Sequence, residues 1–385
     1  MLIFISPFNG FAEQNVRIHG FVSQGYLKSS SNNFLAETDK GTFQYNDMGL
    51  NFQYFTGDKV SIGAQLGARD LGDVGNDKVG VNWVYGDYKW RDWLGFRAGI
   101  MKASSTLYGE NRDVDSLHTW IIMPQSLYNE QQRDASQGLK GISLYGNIDM
   151  ASMGMLKYDL RMADLQVGLD SGTAQTIIAS GGVSSVTDIS FDTLYAWSLR
   201  WKAPIDGLQV GADGAMTGGL FQAISPNPYY DPTNPLFGPE TLNISIDTKE
   251  VLSTSYSLEY VYRDLILTTE WSISDQKVAY YVTGTPPGSY TKTKATSYYF
   301  SASYRFLDWL EMGTYYSKSV ADDDERGPDN ELKDICLTTR FDITDNMTFK
   351  LEAHSMKGTY GVSAGDDGSL DDSWNLFGAK VSYNF

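Results

Sequence analysis

Charged side chains, rather than nucleophiles or metal ligands, are the residues of this sequence whose types and spacing indicate a chemical role. Three arginines occur on early segments of alternating polarity, each on the polar side of its segment. An acidic stretch follows in a long connection, residues 102–136. Opposite charges on facing walls of a wet passage would orient water and dipolar solutes without any covalent step. The charges concerned are Arg17, Arg69 and Arg97 on the segments and Glu110, Asp113 and Asp115 in the connection.

Further charged residues share the polar parity of later segments and are expected to line the same passage. They are Arg161, Arg200, Arg340, Lys350 and Lys380. Two acidic runs, residues 322–325 and 366–372, fall in connections instead. Their spacing does not match an EF-hand loop, so a solvated face is favoured over a divalent-cation site.

The residues that usually perform covalent catalysis are scarce. The sequence has three histidines, His19, His118 and His354, and none lies in a nucleophile motif. Its single cysteine, Cys336, excludes an intrachain disulfide and a cysteine-based zinc or iron–sulfur site. We therefore expect no enzymatic activity, no catalytic residue, no metal and no cofactor.

The composition excludes two broad classes of protein. The 385 residues include 9 Trp, 25 Tyr and 18 Phe, but no run of about 20 apolar residues, which excludes helical membrane spans. The formal charge of -17 argues against a nucleic-acid partner. Residues 1–12 are apolar and end in small residues, so we interpret them as the remnant of a signal peptide, with an apolar segment packed on the domain as the alternative. Residues 13–385 then form a single domain.

A polarity period of two dominates the rest of the chain. Val60, Ile62 and Leu66 share one face of a segment, while Ser61 and Gln65 share the other. Sixteen such segments are predicted, near residues 15–27, 45–55, 59–69, 78–89, 93–101, 137–146, 153–162, 193–202, 208–217, 250–262, 265–275, 295–306, 309–318, 332–341, 347–357 and 373–385.

The connections between these segments alternate in length. Seven are short turns, and eight are longer, including residues 102–136, 163–192 and 218–249. Five prolines within 218–249 disfavour regular strands there. Aromatic residues cluster beside the short turns, as in an aromatic girdle at lipid headgroups. Since lipid requires every backbone polar group to be paired, such a sheet must close, and sixteen strands leave an aqueous lumen. The predicted fold is an all-β transmembrane antiparallel β-barrel of about 16 strands.

The sixteen-strand alternation, the terminal AKVSYNF and the opening strand HGFVSQGYL resemble the general diffusion porins of the Gram-negative outer membrane. The resemblance implies a passive diffusion channel, a homotrimer and a third long loop folded into the bore. Residues 102–136 occupy that loop position. The resemblance therefore implies a pore constriction there, with Arg17, Arg69 and Arg97 as its basic wall and Glu110, Asp113 and Asp115 as its acidic lip. They carry YGENRDVD where enteric porins carry a Pro-Glu-Phe-Gly-Gly run.

Two other functions remain open at this stage. One is a channel selective for sugars or carboxylates, with Tyr88, Tyr299 and Tyr315 as inward aromatic candidates. The other is a barrel that sheathes a periplasmic partner such as a cytochrome, which requires an unobstructed bore. The expected partners are outer-membrane lipid, lipopolysaccharide, small hydrophilic solutes and two further copies of the chain.

Overall fold

The computed structural model describes residues 15–385 except 73, 104, 137 and 234–237. One antiparallel sheet of 17 strands dominates it. The strands are β1 Val16–Ser29, β2 Tyr45–Thr56, β3 Val60–Leu71, β4 Gly80–Arg91, β5 Leu94–Met101, β6 Leu139–Asp149, β7 Met155–Asp164, β8 Ser185–Phe191, β9 Leu194–Lys202, β10 Leu208–Pro226, β11 Thr241–Tyr262, β12 Leu265–Val282, β13 Thr291–Leu307, β14 Leu310–Val320, β15 Glu331–Thr344, β16 Met347–Gly358 and β17 Ser373–Asn384. The predicted signal remnant, residues 1–12, lies outside the described residues and stays a prediction.

The sheet closes on itself. β1 pairs with β2 and also with β17, where Phe21 is opposite Asn384 and Ser29 is opposite Leu376. β8 and β9 both pair with β10 along successive parts of its length, so these two short strands form one stave of the barrel. The 17 strands therefore make sixteen staves, and the predicted closed sixteen-stranded barrel is confirmed.

Side chains alternate between the lipid-facing surface and the lumen. On β15, Ile335 and Leu337 point outward and are each 56% exposed, whereas the alternating Asp334 and Cys336 are buried inside the barrel. The period of two in the sequence has this origin.

Tyr88 is an exception to the predicted parity. It pairs with outward-facing Val60 and is itself exposed, so it does not line the lumen.

Seven short turns join the staves at one rim, at residues 57–59, 92–93, 150–154, 203–207, 263–264, 308–309 and 345–346. Exposed aromatic rings surround this rim, as the sequence predicted. They are Tyr54, Trp90, Trp93, Trp201, Tyr262, Tyr304, Phe306, Trp309, Tyr383 and Phe385. Such rings place an apolar body in lipid and a polar edge in water, which marks this rim as a membrane interface.

Two predicted long loops contain more regular structure than the sequence indicated. Residues 163–192 include helix α1, Gly172–Gly181, whose N-cap Ser171 accepts a hydrogen bond from Ala174, and also β8. Within residues 218–249, β10 continues to Pro226 and β11 begins at Thr241. The two strands remain paired there because each satisfies the other's backbone polar groups, and the first proline is tolerated because it ends its strand.

The largest apolar core is found inside the barrel rather than between two sheets. Leu27, Leu71 and Leu376 of the wall pack with Ile121 and Ile122, which belong to the connection between β5 and β6. Each of the five is at most 4% exposed. No helix within the described part of the chain is long and apolar enough to cross a membrane.

Candidate pore constriction

The connection between β5 and β6, residues 102–138 and here called L3, lies inside the barrel. Its Arg133 forms an ion pair with Asp47 of β2, and its Tyr108 donates a hydrogen bond to Glu259 of β11. β2 and β11 are eight staves apart in a barrel of sixteen, since β8 and β9 form one stave. L3 therefore crosses the full width of the lumen.

Glu352 of β16 holds the middle of L3. Its two carboxylate oxygens accept hydrogen bonds from the backbone N–H groups of Ile121, at 2.8 Å, and Ile122, at 2.9 Å. His354 bonds to the same carboxylate at 2.9 Å through Nε2 and to Asp334 at 3.0 Å through Nδ1. Because both isoleucines are buried, this carboxylate satisfies two backbone donors that water cannot reach.

Glu270 of β12 provides a second anchor four staves from β16, a quarter of the way around the wall. Its side chain is 1% exposed and accepts a 2.8 Å hydrogen bond from the backbone N–H of Leu107. The hydroxyl of Tyr299 donates to it at 2.8 Å, and the hydroxyl of Tyr128 in L3 donates to the same oxygen. Buried carboxylates on β12 and β16 thus fix two separate parts of L3.

Asp115, predicted as part of the acidic lip, instead tethers L3 to the wall. Its carboxylate lies 2.9 Å from Nζ of Lys350 and 3.0 Å from Nζ of Lys380, and Ser382 donates a 2.7 Å hydrogen bond to it. Burial opposes its ionisation, but the two ammonium groups hold the pKa of Asp115 well below its usual range. The structure therefore brings together Asp115, Lys350 and Lys380, which the sequence analysis placed separately in the acidic lip and among the lumen charges.

Asp113, like Asp115, does not face the open lumen. Its side chain is fully buried and lies 2.6 Å from Nζ of Lys102, within L3 itself. Burial raises the pKa of this carboxyl, and the nearby Lys102 and Arg133 outweigh burial and lower it. The residue stabilises the loop's own fold rather than facing solute.

Arg69 of the predicted basic wall belongs to a cluster around Glu130 of L3. Glu130 lies 2.9 Å from Nη2 of Arg112, 3.4 Å from Nη1 of Arg133 and 3.6 Å from Nη1 of Arg69. Burial opposes ionisation of Glu130, but the three guanidinium groups lower its pKa to about 2. Sequence analysis did not identify Glu130, Arg112 and Arg133 as site residues, because nothing in their spacing shows which wall they meet.

Glu110 is the predicted lip residue that reaches open space. Its side chain is 46% exposed, contacts Arg161 and lies 3.9 Å from Nη1 of Arg97. Arg161 is anchored to Asp159 at 2.7 Å, so it holds the Glu110 carboxylate in place beside Arg97. The predicted opposition of acidic loop and basic wall is present at this point.

Aromatic rings fix the position of Arg97. Its guanidinium lies 4.4 Å from the ring centroid of Tyr85 and 5.1 Å from that of Tyr145, and its Nε bonds to Asp87 at 3.2 Å. Tyr145 can lie this close to the wall because Gly95 is beneath it, where a Cβ would come within 2.3 Å of the ring. The two aromatic contacts and the ion pair with Asp87 together fix the orientation of the Arg97 guanidinium.

Arg17 is placed apart from the other predicted constriction residues. It is the second residue of β1, is exposed and lies over the ring of Phe55 at 5.0 Å. This position is at the rim with the short turns, whereas L3 meets the wall farther along the strands. Parity alone predicted an inward side chain and gave no information on its height in the barrel.

The remaining predicted lumen charges are paired. Arg200 lies 2.7 Å from Asp213. Arg340 bonds to Asp342 at 2.8 Å and also donates a 2.7 Å hydrogen bond to the backbone carbonyl of Ser116 in L3. The lumen wall thus presents compensated charge rather than a uniform field.

A cavity of about 440 Å³ lies between L3 and the wall formed by β1 to β5. Arg97 and Glu110, which lie 3.9 Å apart, both line it. Its other polar and aromatic lining residues include His19, Asn51, Gln65, Trp83, Tyr85, Lys102 and Asn111. This arrangement offers a hydrated, charge-bounded space beside the loop.

Solved structures of bacterial outer-membrane proteins share this fold. OmpT of Vibrio cholerae aligns at 14% identity over 96% of this chain and 97% of that one, with a TM-score of 0.59. OmpF of Salmonella typhi, solved with daunomycin, aligns at 12% identity over 97% and 99%, with a TM-score of 0.60. An anion-selective porin from Comamonas acidovorans aligns at 13% identity over 96% and 99%, with a TM-score of 0.57. The resemblance to porins predicted from the sequence therefore holds at the level of the fold.

Sequence comparison adds nothing to this likeness. No family model matches the chain, and no curated protein matches it. The structural neighbours are outer-membrane proteins, in agreement with the predicted location in the outer membrane of a Gram-negative bacterium.

Proposed function

We propose that this chain forms a water-filled channel through which small hydrophilic solutes and ions diffuse passively across the outer membrane. The observation that carries the proposal is the cavity of about 440 Å³ between L3 and the wall, whose lining includes the oppositely charged Glu110 and Arg97. A passage bounded by a loop and crossed by opposite charges favours polar solutes over hydrophobic ones. The fold shared with outer-membrane porins supports the same function.

A second candidate, a channel selective for sugars, is favoured by the aromatic residues of this cavity. The rings of Trp83 and Tyr85 stack at 5.2 Å, and Trp83 lies against Gly63, where a Cβ would come within 2.8 Å of it. Asn51 and Gln65 belong to the same lining, and their amide groups bond to each other at 2.8 Å. An aromatic face with amides at its edge suits the apolar and hydroxyl faces of a sugar ring.

Two other functions receive less support. A carboxylate-selective channel needs an available cation, but Arg97 is engaged by Asp87 and lies near Glu110. A sheath for a protein needs a free bore, whereas L3 crosses from β2 to β11. We propose no enzymatic activity, because both ring nitrogens of His354 are bonded to carboxylates and the neighbouring thiol of Cys336, within 4.8 Å, is fully buried in the wall.

The proposed assembly is a homotrimer embedded in outer-membrane lipid and lipopolysaccharide. The exposed apolar surface described above supports the lipid contact. One of the V. cholerae OmpT structures, 11% identical with a TM-score of 0.55, is described as a trimer form.

Single-channel recording in planar bilayers tests the proposed function. We expect stepwise conductance and a reversal potential near zero under a potassium chloride gradient, because Glu110 is opposed by arginines. Addition of maltose oligomers should block the current only if the sugar-selective alternative is correct. A reconstituted, folded barrel that carries no current would contradict both channel functions.

A further inference from the structure

Three lysines lie side by side on the outer surface of the barrel. Lys318 of β14 is directly opposite Lys333 of β15, and Lys333 is directly opposite Lys357 of β16. Lys333 shares its parity with the outward-facing Ile335, and Lys357 shares its parity with the exposed Leu351. Like charges directly opposite each other destabilise a sheet, so this row costs stability unless an anion compensates it.

The height of the row coincides with one edge of the apolar surface. On β15 the outward-facing apolar residues extend from Ile343 to Ile335, and Lys333 follows immediately. Ten residues of a strand that rises about 3.3 Å per residue and is tilted by about 40° span about 25 Å along the membrane normal. This distance equals the usual height of the lipid-facing band, about 25 Å, so the lysines lie at the headgroups of the leaflet opposite the short turns.

The row carries excess positive charge. Glu331 is the carboxylate that the structure pairs with it, at 2.9 Å from Lys318 and also in contact with Lys333. Within the described residues, Lys357 has no ion pair. The three lysines and their ion-paired glutamate carry 3 - 1 = +2 on the strands themselves, whereas the acidic runs 322–325 and 366–372 belong to the connections beyond the strand ends. Such a concentration of ammonium groups suits compact, multiply charged anions such as phosphate.

We propose that Lys318, Lys333 and Lys357 bind the phosphate groups of an outer-leaflet glycolipid, the phosphorylated glucosamine headgroup of lipopolysaccharide. Directly below the row, Phe300 and Ile335 are more than half exposed and offer an apolar surface for its acyl chains. The lysines complement the charge of the lipid phosphates, and the apolar surface next to them is continuous with the lipid-facing band. Together these features favour a glycolipid over a soluble anion. The site depends on the outer-membrane location and not on whether the channel conducts.

A binding measurement on the detergent-solubilised full chain tests the site. The probe is bisphosphorylated lipid A, compared with dephosphorylated lipid A and with inorganic phosphate. The variant K318Q/K333Q/K357Q removes the row, and K59Q/K89Q removes two lysines beside the short turns as a matched control. We expect the triple variant to bind bisphosphorylated lipid A about tenfold or more weakly, and the control to bind it as the unaltered protein does.

Three results would overturn the proposal: unchanged affinity in the triple variant, equal binding of dephosphorylated lipid A, or equal competition by millimolar inorganic phosphate. The last would indicate a general anion site. Should the triple variant fail to fold, acetylation of the unaltered protein gives the answer. We expect its three lysines to be protected in bilayers that contain lipopolysaccharide and modified in phosphatidylcholine, and equal modification in both would refute the site. Conductance recordings on the same samples report separately on the proposed channel.

Discussion

Lys350 contacts Asp115 through two of its oxygens: Nζ lies 2.9 Å from the carboxylate Oδ2 and donates a 2.8 Å hydrogen bond to the backbone carbonyl. The pair is buried and joins β16 to L3. Lys350→Met should lower the free energy of unfolding by about 3 kcal/mol, because removing one partner leaves a buried charge for which Lys380 compensates only in part. Thermal unfolding in detergent measures the change. Lys277→Met, which removes an exposed ion pair with Glu250, should change stability by less than about 0.5 kcal/mol, and an equal loss in both variants would contradict the tether.

Replacing Glu352 by Gln should loosen L3. The amide oxygen of glutamine can accept one of the two backbone hydrogen bonds from Ile121 and Ile122, whereas its NH2 group can only donate. A buried donor without a partner costs about 1–3 kcal/mol, so we expect lower stability and noisier single-channel currents. Glu250→Gln, on the exposed part of β11, is the control and should leave both unchanged. Quiet currents in the Glu352 variant would show that L3 does not depend on this carboxylate.

Gly95→Ala should change ion selectivity although the substitution introduces no charge. Its Cβ would come within 2.3 Å of the ring of Tyr145, which donates a 2.6 Å hydrogen bond to Asp87. Moving this ring removes one of the two aromatic contacts of Arg97 and disturbs its ion pair. Gly86→Ala, on the neighbouring β4, is a matched control with no heavy atom within 4 Å of its Cβ. Reversal potentials should shift for the first variant alone, and identical values for both would contradict the positioning of Arg97.

Neutralising the charges of the constriction should alter permeability in opposite directions. Glu110→Gln should favour anions, and Arg97→Gln should favour cations. A unit charge about 4 Å from a passing ion in water changes its energy by about 1 kcal/mol, which corresponds to a permeability ratio altered by a factor of about 5. Asp367→Asn in an exposed connection is the control. Shifts of the same sign in the two constriction variants would show that another part of the lumen sets selectivity.

Acid should weaken the packing of L3 through His118. Burial lowers the pKa of His118 to about 4, and the positive charge of Lys350 adds to this while the carboxylates of Asp115 and Asp113 oppose it. Since the unfolded imidazole titrates near pH 6.5, neutral burial of this ring stabilises the protein fully above that pH. The stabilisation is lost as the pH falls from about 6.5 to about 4, by up to about 3 kcal/mol. Between about pH 6.5 and about pH 4, the free energy of unfolding should fall more steeply with decreasing pH for the unaltered protein than for His118→Gln. An equal pH dependence in the two proteins would exclude the effect.

The barrel could be predicted because its signal is local. A period of two requires only near neighbours, so the strands of the wall and the inward direction of Arg97 and Lys350 follow from short stretches of sequence. The upper parts of β10 and β11 were not predicted. Their pairing shifts register between Thr217 and Gly219, and this irregularity interrupts the alternation at that point.

The pairing inside the lumen could not be predicted, because it depends on contacts between distant residues. Asp115 meets Lys350, which lies 235 positions away along the chain. Parity shows that a side chain points inward but gives neither its height nor its partner, so Asp113 and Asp115 were assigned to an open lip rather than to buried ion pairs.

The two ends of the L3 crossing have a mechanical consequence. Arg133 is bound to Asp47 on one side of the cylinder and Tyr108 to Glu259 on the other, so the loop acts as a crossbeam of fixed span. Lateral pressure from the surrounding bilayer tends to flatten a hollow cylinder. Here flattening along this diameter would have to compress L3, and stretching along it would have to separate these two bonded pairs, so the cross-section resists changes in either direction.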